Sequence, residues 1–127
     1  MSLSDILTKC RHPDGQTRNK AELEIDALAE SNFGSLMEAC GKQMADENWI
    51  KENRQLCSIL IKNMIRAGSR HEGKWEQLPT DPKLNIKNSV LSCLASNIKD
   101  VRKAAALAVA AISKWVNRSS IDDNIRW

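Results

Sequence analysis

Arg54-Gln55-Leu56-Cys57-Ser58-Ile59-Leu60-Ile61-Lys62-Asn63-Met64-Ile65 is the stretch that decides how this chain folds. Cys57, Leu60, Ile61, Met64 and Ile65 recur at i, i+3, i+4, i+7 and i+8, one face of a 3.6-residue period. Leu56 and Ile59 carry the apolar surface further round than a helix resting on a protein surface needs. The reading is therefore a helix covered on most of its circumference, with Lys62, Asn63 and Arg66 as the narrow polar strip left over. Inner helices of a solenoid have this character: adjacent repeats cover both flanks, the partner helix covers the back, and the front is free to meet a ligand. The same strip also fits solvated positions on an interior helix, or hydrogen bonds from one repeat to the next.

Outward from this stretch, every long segment reads as helix. Residues 3–10 form a short one that stops at Arg11-His12-Pro13-Asp14-Gly15, a run of turn residues. A second spans about 17–30, with Ala21, Ile25, Leu28 and Ala29 on one face. Ser31-Asn32 caps a third, in which Phe33, Leu36, Met37, Cys40 and Met44 repeat at helical spacing. Gly41 inside it costs roughly 1 kcal/mol against alanine and marks a close approach or a kink. The quoted helix follows from about 49 to 67. Gly68 to Gly73 is a flexible-looking loop, and Pro79 and Pro82 open the next helix, with Ile86, Val90, Leu91, Leu94 and Ala95 as its apolar face. The last long helix begins at Val101. It carries one stripe of Val101, Ala105, Ala108, Val109, Ile112 and Val116 and a second of Ala104, Leu107, Ala111 and Trp115. The heavily covered helices centre near residues 24, 58 and 108, about 34 and 50 apart, which brackets the ~40–47-residue period of paired-helix repeats. The fold class is all-α, an α-solenoid of about three antiparallel helix pairs, with a closed helical bundle as the other arrangement.

Composition narrows the function. The chain has 127 residues, 42% hydrophobic and 28% charged, with 4% aromatic. That suits one globular unit whose core is aliphatic. No apolar run approaches the ~20 residues of a membrane span, and the start has no signal-peptide pattern, so the expected location is cytosol or nucleus without membrane insertion. Cys10, Cys40, Cys57 and Cys93 are isolated from one another and read as free thiols acting as small hydrophobes. With only His12 and His71 beside them, no metal site is expected. No glycine-rich phosphate loop and no nucleophile-and-base pairing occur, so no catalytic residue, cofactor or enzyme activity is expected. Net charge is +3. Residues 1–50 hold five Lys/Arg against nine Asp/Glu, net −4, and the remainder is net +7. This polarises the surface, yet no helix-turn-helix pattern or aromatic stacking platform supports nucleic-acid binding.

Asp100-Val101-Arg102-Lys103-Ala104-Ala105-Ala106-Leu107-Ala108-Val109-Ala110-Ala111-Ile112 resembles the second helix of a HEAT repeat, with Arg102 placed for bonds between repeats. Further landmarks fall in a specific order. Arg18 with Ala21-Glu22 and Ile25 resembles the helix that opens receptors of the importin β superfamily. Arg54-Gln55-Leu56, with Leu60-Ile61-Lys62-Asn63, is similar to their second repeat. Trp75 and Leu78, then Ile86-Lys87 and Leu91 with Leu94, are similar to the start of the third. The likeness spans nearly the whole chain. It implies repeats at about 2–31, 32–68 and 75–118 and the start of a fourth at about 121–127. It also implies the amino-terminal part of a longer receptor.

The resemblance implies a function as well. Receptors of this family bind the small GTPase Ran in its GTP state through the inner helices of their first repeats. Carried over, Lys62 and Asn63 are the leading contact residues, with Arg66 one turn on and Lys103 on the last inner helix. Importin α or cargo, and nucleoporins, would engage repeats beyond this segment. The expected location is then cytoplasm, nucleus and nuclear pore. A segment of another karyopherin, such as a transportin, or a general protein-interaction scaffold are the alternatives.

Overall fold

The computed structural model describes residues 2–66 and 68–118, with side chains described through Lys114. Five helices follow one another: α1 Leu3–Cys10, α2 Gly15–Ala45, α3 Lys51–Ile65, α4 Thr80–Cys93 and α5 Lys99–Arg118. No strand occurs among the described residues. The expected fourth-repeat start at 121–127 and its apolar residues Ile121, Ile125 and Trp127 lie outside them, as do the side chains of Trp115 and Val116.

Helix α2 is two helices in one. At Asn32 the backbone leaves helical geometry (φ −159°, ψ 83°) and resumes it at once. The Asn32 side-chain oxygen accepts from the Ser35 amide at 3.1 Å, so Asn32 is the N-cap of the second half. The cap expected at Ser31-Asn32 is present, but the joint consumes one residue rather than a turn. Capping also starts the earlier helices: Ser2 accepts from the Asp5 amide at 3.2 Å, and Asp14 from the Thr17 amide at 3.2 Å. The Asp14 carboxyl is held below its ordinary range chiefly by the Thr17 hydroxyl and amide.

The halves of α2 place α1 with residues 15–31, residues 33–45 with α3, and α4 with α5 as three antiparallel pairs. Contacts between elements follow a stack: α3 lies along α5 and α2, α2 along α4, and α1 along α2. Residues 15–31, α3 and α5 form one layer, and α1, residues 33–45 and α4 the other, the arrangement expected of a HEAT-type α-solenoid. The core runs between the layers through Leu7, Ile25, Met37, Cys57, Ile61, Ile86, Val90, Ala105 and Ile112. Gly41 belongs to the close approach of the outer layer. A Cβ there would stand 3.2 Å from Ser89 Cβ and 3.8 Å from Ile86 Cα, which glycine alone avoids without moving α4.

Several expected faces turn differently. Leu28 is 41% exposed, Leu91 39% and Leu94 40%, so these leucines do not line the core. Arg102 does not bridge repeats. Its guanidinium donates to the Ser96 carbonyl at 2.7 Å, closing the turn between α4 and α5 within one pair. Conversely, Asn53, Arg54 and Ser58 of α3 are buried. Arg54 Nε donates to the Met44 carbonyl at 2.8 Å, and the Cys93 thiol reaches the same oxygen at 3.1 Å. That carbonyl lies in the last turn of α2, where helix geometry leaves acceptors without partners and concentrates negative partial charge.

Candidate docking face on the inner helices

The front of the layer formed by residues 15–31, α3 and α5 is the candidate surface. On α3 the buried residues Arg54, Cys57, Ser58, Ile61 and Ile65 define the back. A helix turns about 100° per residue, so Ile59 and Asn63 fall on the side away from Ile61, and Lys62 on a flank. Lys62 and Asn63 are both half-buried, and Arg66, the C-cap residue, is exposed. Lys103 is exposed on α5, two residues from buried Val101 and Ala105. Among the described residues neither Lys62 nor Lys103 is held in an ion pair, and neither Lys62 nor Asn63 side chain makes a bond to a neighbouring repeat. The bond between repeats in this layer lies elsewhere, where Lys51 meets Asp100 at 3.5 Å.

The four candidate residues do not form one cluster. Asn63 lines a groove of about 320 Å³ between residues 15–31 and α3, together with Glu22, Asp26, Leu56, Ile59 and Leu60. Lys62 is not among the residues lining that groove.

One end of the groove is closed by the loop after α3. His71 is 2% exposed although it sits in a stretch the sequence marks as flexible. Its Nε2 lies 3.2 Å from Asp26 and its Nδ1 3.0 Å from the Lys74 ammonium. An ammonium only donates, so Nδ1 is bare and Nε2 carries the proton and donates to Asp26. Arg70 also donates to Asp26 at 3.2 Å, while Lys74 meets Glu30 at 3.4 Å. The loop is strapped back onto the preceding inner helix by this network, with Phe33 and His71 rings 6.4 Å apart beneath it. Trp75 anchors the rest of the loop in the core.

Three of the thiols are held toward the protonated form. Burial pushes the Cys10 thiol up, reinforced by Glu22 and Glu24. The neighbouring Cys40 thiol pushes the Cys57 thiol up, with burial adding to it. Burial outweighs the opposing pull of Arg54 at Cys93. Thiols held protonated are poor nucleophiles and poor metal ligands. All four cysteines are free. Among the described residues no group of three His, Cys, Asp or Glu side chains is placed to hold a metal ion, and no helix is long and apolar enough to cross a membrane.

The sequence reading missed the apolar side chains on this front. Leu23 is 66% exposed, Ile59 37% and Leu107 52%, although Ile59 and Leu107 had been placed in buried stripes. A signal was available. Leu23 and Ile59 each precede a buried isoleucine, Ile25 or Ile61, by two residues, and Leu107 follows buried Ala105 by two. Two residues turn a helix by about 200°, to its opposite side.

No protein-family model matches the chain. Its sequence is 26% identical over 120 residues to importin subunit beta-1 of Schizosaccharomyces pombe, covering 91% of this chain and 14% of that relative. The structure superposes on crystalline importin beta with a TM-score of 0.82 and 28% identity, over 87% of this chain and 13% of the other. It also shares its fold with Kap95p, whose binding induces the switch loops of RanGDP to adopt the GTP-bound conformation. That match has a TM-score of 0.81 at 22% identity, over 97% of this chain and 16% of the other. The chain thus spans a small part of the length of the relatives it matches.

Proposed function

For a chain that belongs to the importin β superfamily, we propose the role of a Ran-GTP-binding amino-terminal segment of a nuclear transport receptor that carries proteins through the nuclear pore. The observation that carries this reading is the inner front, where Lys62 and Lys103 stand outside any ion pair among the described residues. Leu23, Ile59 and Leu107 stand exposed beside them. Long cations next to apolar side chains suit a protein partner that presents carboxylates and main-chain carbonyls from an ordered segment. A GTPase switch is such a segment, ordered by the γ-phosphate and released on hydrolysis, so preference for the GTP state follows from shape. Kap95p acts on the same switch loops of RanGDP, which supports this choice of partner. The repeats are read as 2–31, 32–68 and 75–118. Importin α or cargo and nucleoporins would be met by repeats beyond them, in a receptor moving between cytoplasm and nucleus.

The segment alone should bind weakly, because it lacks the many-point grip of a long receptor. Lys62→Ala removes one charge-assisted bond and should weaken binding by about 1–3 kcal/mol while leaving the unfolding transition in place. Titration of GTP-loaded and GDP-loaded Ran against wild type and variant decides it. Equal affinity for both nucleotide states, or a Lys62→Ala protein that unfolds, overturns the assignment.

A further inference from the structure

Leu23, Ile59 and Leu107 sit at one level along the layer. Leu23 lies between Glu22 and Asp26, which wall the same groove as Ile59. Ile59 and Leu107 follow by eight and seven residues the bridged pair Lys51 and Asp100, which fixes the register of α3 on α5. Packed helices are spaced about 8–10 Å apart, so the three side chains form a ridge across the inner helices with roughly that interval.

Charge changes sign along the ridge. Its α2 end carries Glu22, Glu24, Asp26 and Glu30 against Lys20, with Asp26 and Glu30 partly offset by Arg70 and Lys74. Its α5 end carries exposed Lys103 and Lys114. Taking the inner front as the docking face, we propose that its ligand is an amphipathic helix laid across the three inner helices. That helix is apolar at i, i+7 and i+14, basic at the end over α2 and acidic at the end over α5.

Spacing and chemistry select a helix over an extended segment. Fourteen residues of helix rise about 21 Å, close to two inter-helix intervals, and i, i+7 and i+14 stay near one face. Same-face side chains of a strand recur every ~6.6 Å and miss the ridge. A polyproline segment repeats every ~9.3 Å, but its recognition uses aromatic-lined grooves. Phe33 and Trp75 are in the core, and the one ring among the side chains lining the groove is His71, whose nitrogens are taken by Asp26 and Lys74. A helix also satisfies its own backbone, so the ridge need supply only apolar contact and charge.

The test is selection of a displayed library of ~22-residue peptides, long enough for the fifteen-position span plus end turns. They are randomised at apolar and charged positions and selected first on this chain, then on a Leu23→Asp/Leu107→Asp variant. Both substituted positions are exposed, and circular dichroism verifies that the variant is folded. The expected winners are apolar at i, i+7 and i+14, carry Lys/Arg and Asp/Glu at opposite ends, and lose about tenfold or more in affinity on the variant. A nitroxide on the basic end of a winner should broaden amide signals of residues 19–30 and spare α5. Enrichment at i, i+2, i+4 or i, i+3, i+6, unsegregated charges, undiminished binding to the variant, or broadening at α5 overturns the proposal. Ran-GTP titrated in parallel separates the two readings. If the variant loses the GTPase but no heptad peptide is selected, the docking face stands and the helical ligand falls. If neither responds, both fall.

Discussion

At the scale of single residues, Arg54 shows how a charge comes to lie in this core. Its side chain is 2% exposed, and its Nε–H meets the Met44 carbonyl at the negative end of α2. The helix terminus supplies the compensation that a buried cation requires. Arg54→Ala should cost about 3 kcal/mol in urea unfolding, since it opens a cavity and removes a charged donor from a buried acceptor. Arg54→Met keeps most of the volume and leaves the Cys93 thiol on the same carbonyl, so its loss should be smaller. Equal losses for the two variants would show that the bond, not volume, is what Arg54 contributes. Arg54 lies at i−3 from Cys57 and i−7 from Ile61, on the buried face, yet the sequence reading builds that face from apolar residues alone. What the local pattern could not reveal is the partner. The end of α2 that needs a donor is ten residues away in sequence and is brought opposite by the turn at 46–50.

At the scale of elements, Asn32 sets the bend between the two halves of α2. Alanine has the higher helix propensity, which on its own favours Asn32→Ala. The structure predicts the opposite sign, because the variant loses the bond to the Ser35 amide at a residue that cannot be helical here. A loss of about 1 kcal/mol is expected for Asn32→Ala, with Asn32→Asp close to wild type; a more stable alanine variant would mean that packing alone sets the bend. This joint was legible because a cap needs only a local sequence signal. The strap formed by Arg70, His71, Lys74 and Trp75 was not legible, since glycines at 68 and 73 read as flexibility. Both do adopt positive φ of 87°, the turns glycine permits. Between them, however, His71 is fixed by Asp26, a residue 45 positions earlier. The polar strip was legible in part. Lys62 and Asn63 were found, but adjacent residues on a helix point about 100° apart, and they serve different sides of α3.

At the scale of the whole molecule, the stack supports each helix pair chiefly through the adjoining pair. Helix α3 is held by α1, α2 and α5, whereas α1 rests chiefly on α2, with a smaller contact to α3, and contributes Ile6 and Leu7 as its buried residues. Stability in such an array is close to a sum of unit and interface terms, so damage at one end should stay there. Leu7, fully buried, is the place to inflict it: Leu7→Ala should cost about 2–5 kcal/mol through lost burial and the cavity left behind. In a closed bundle that loss would lower the protection of every slowly exchanging amide alike, because one core serves all helices. In this solenoid the first pair should open on its own, so amides of α1 and residues 15–31 lose protection first. Those of α5 should keep most of theirs, as expected of sub-global opening units. Native-state hydrogen exchange on wild type and Leu7→Ala reads the difference amide by amide. A uniform drop from α1 through α5 would show that the three pairs share one cooperative core, and a ligand on the inner front would then stabilise the chain as a whole rather than repeat by repeat.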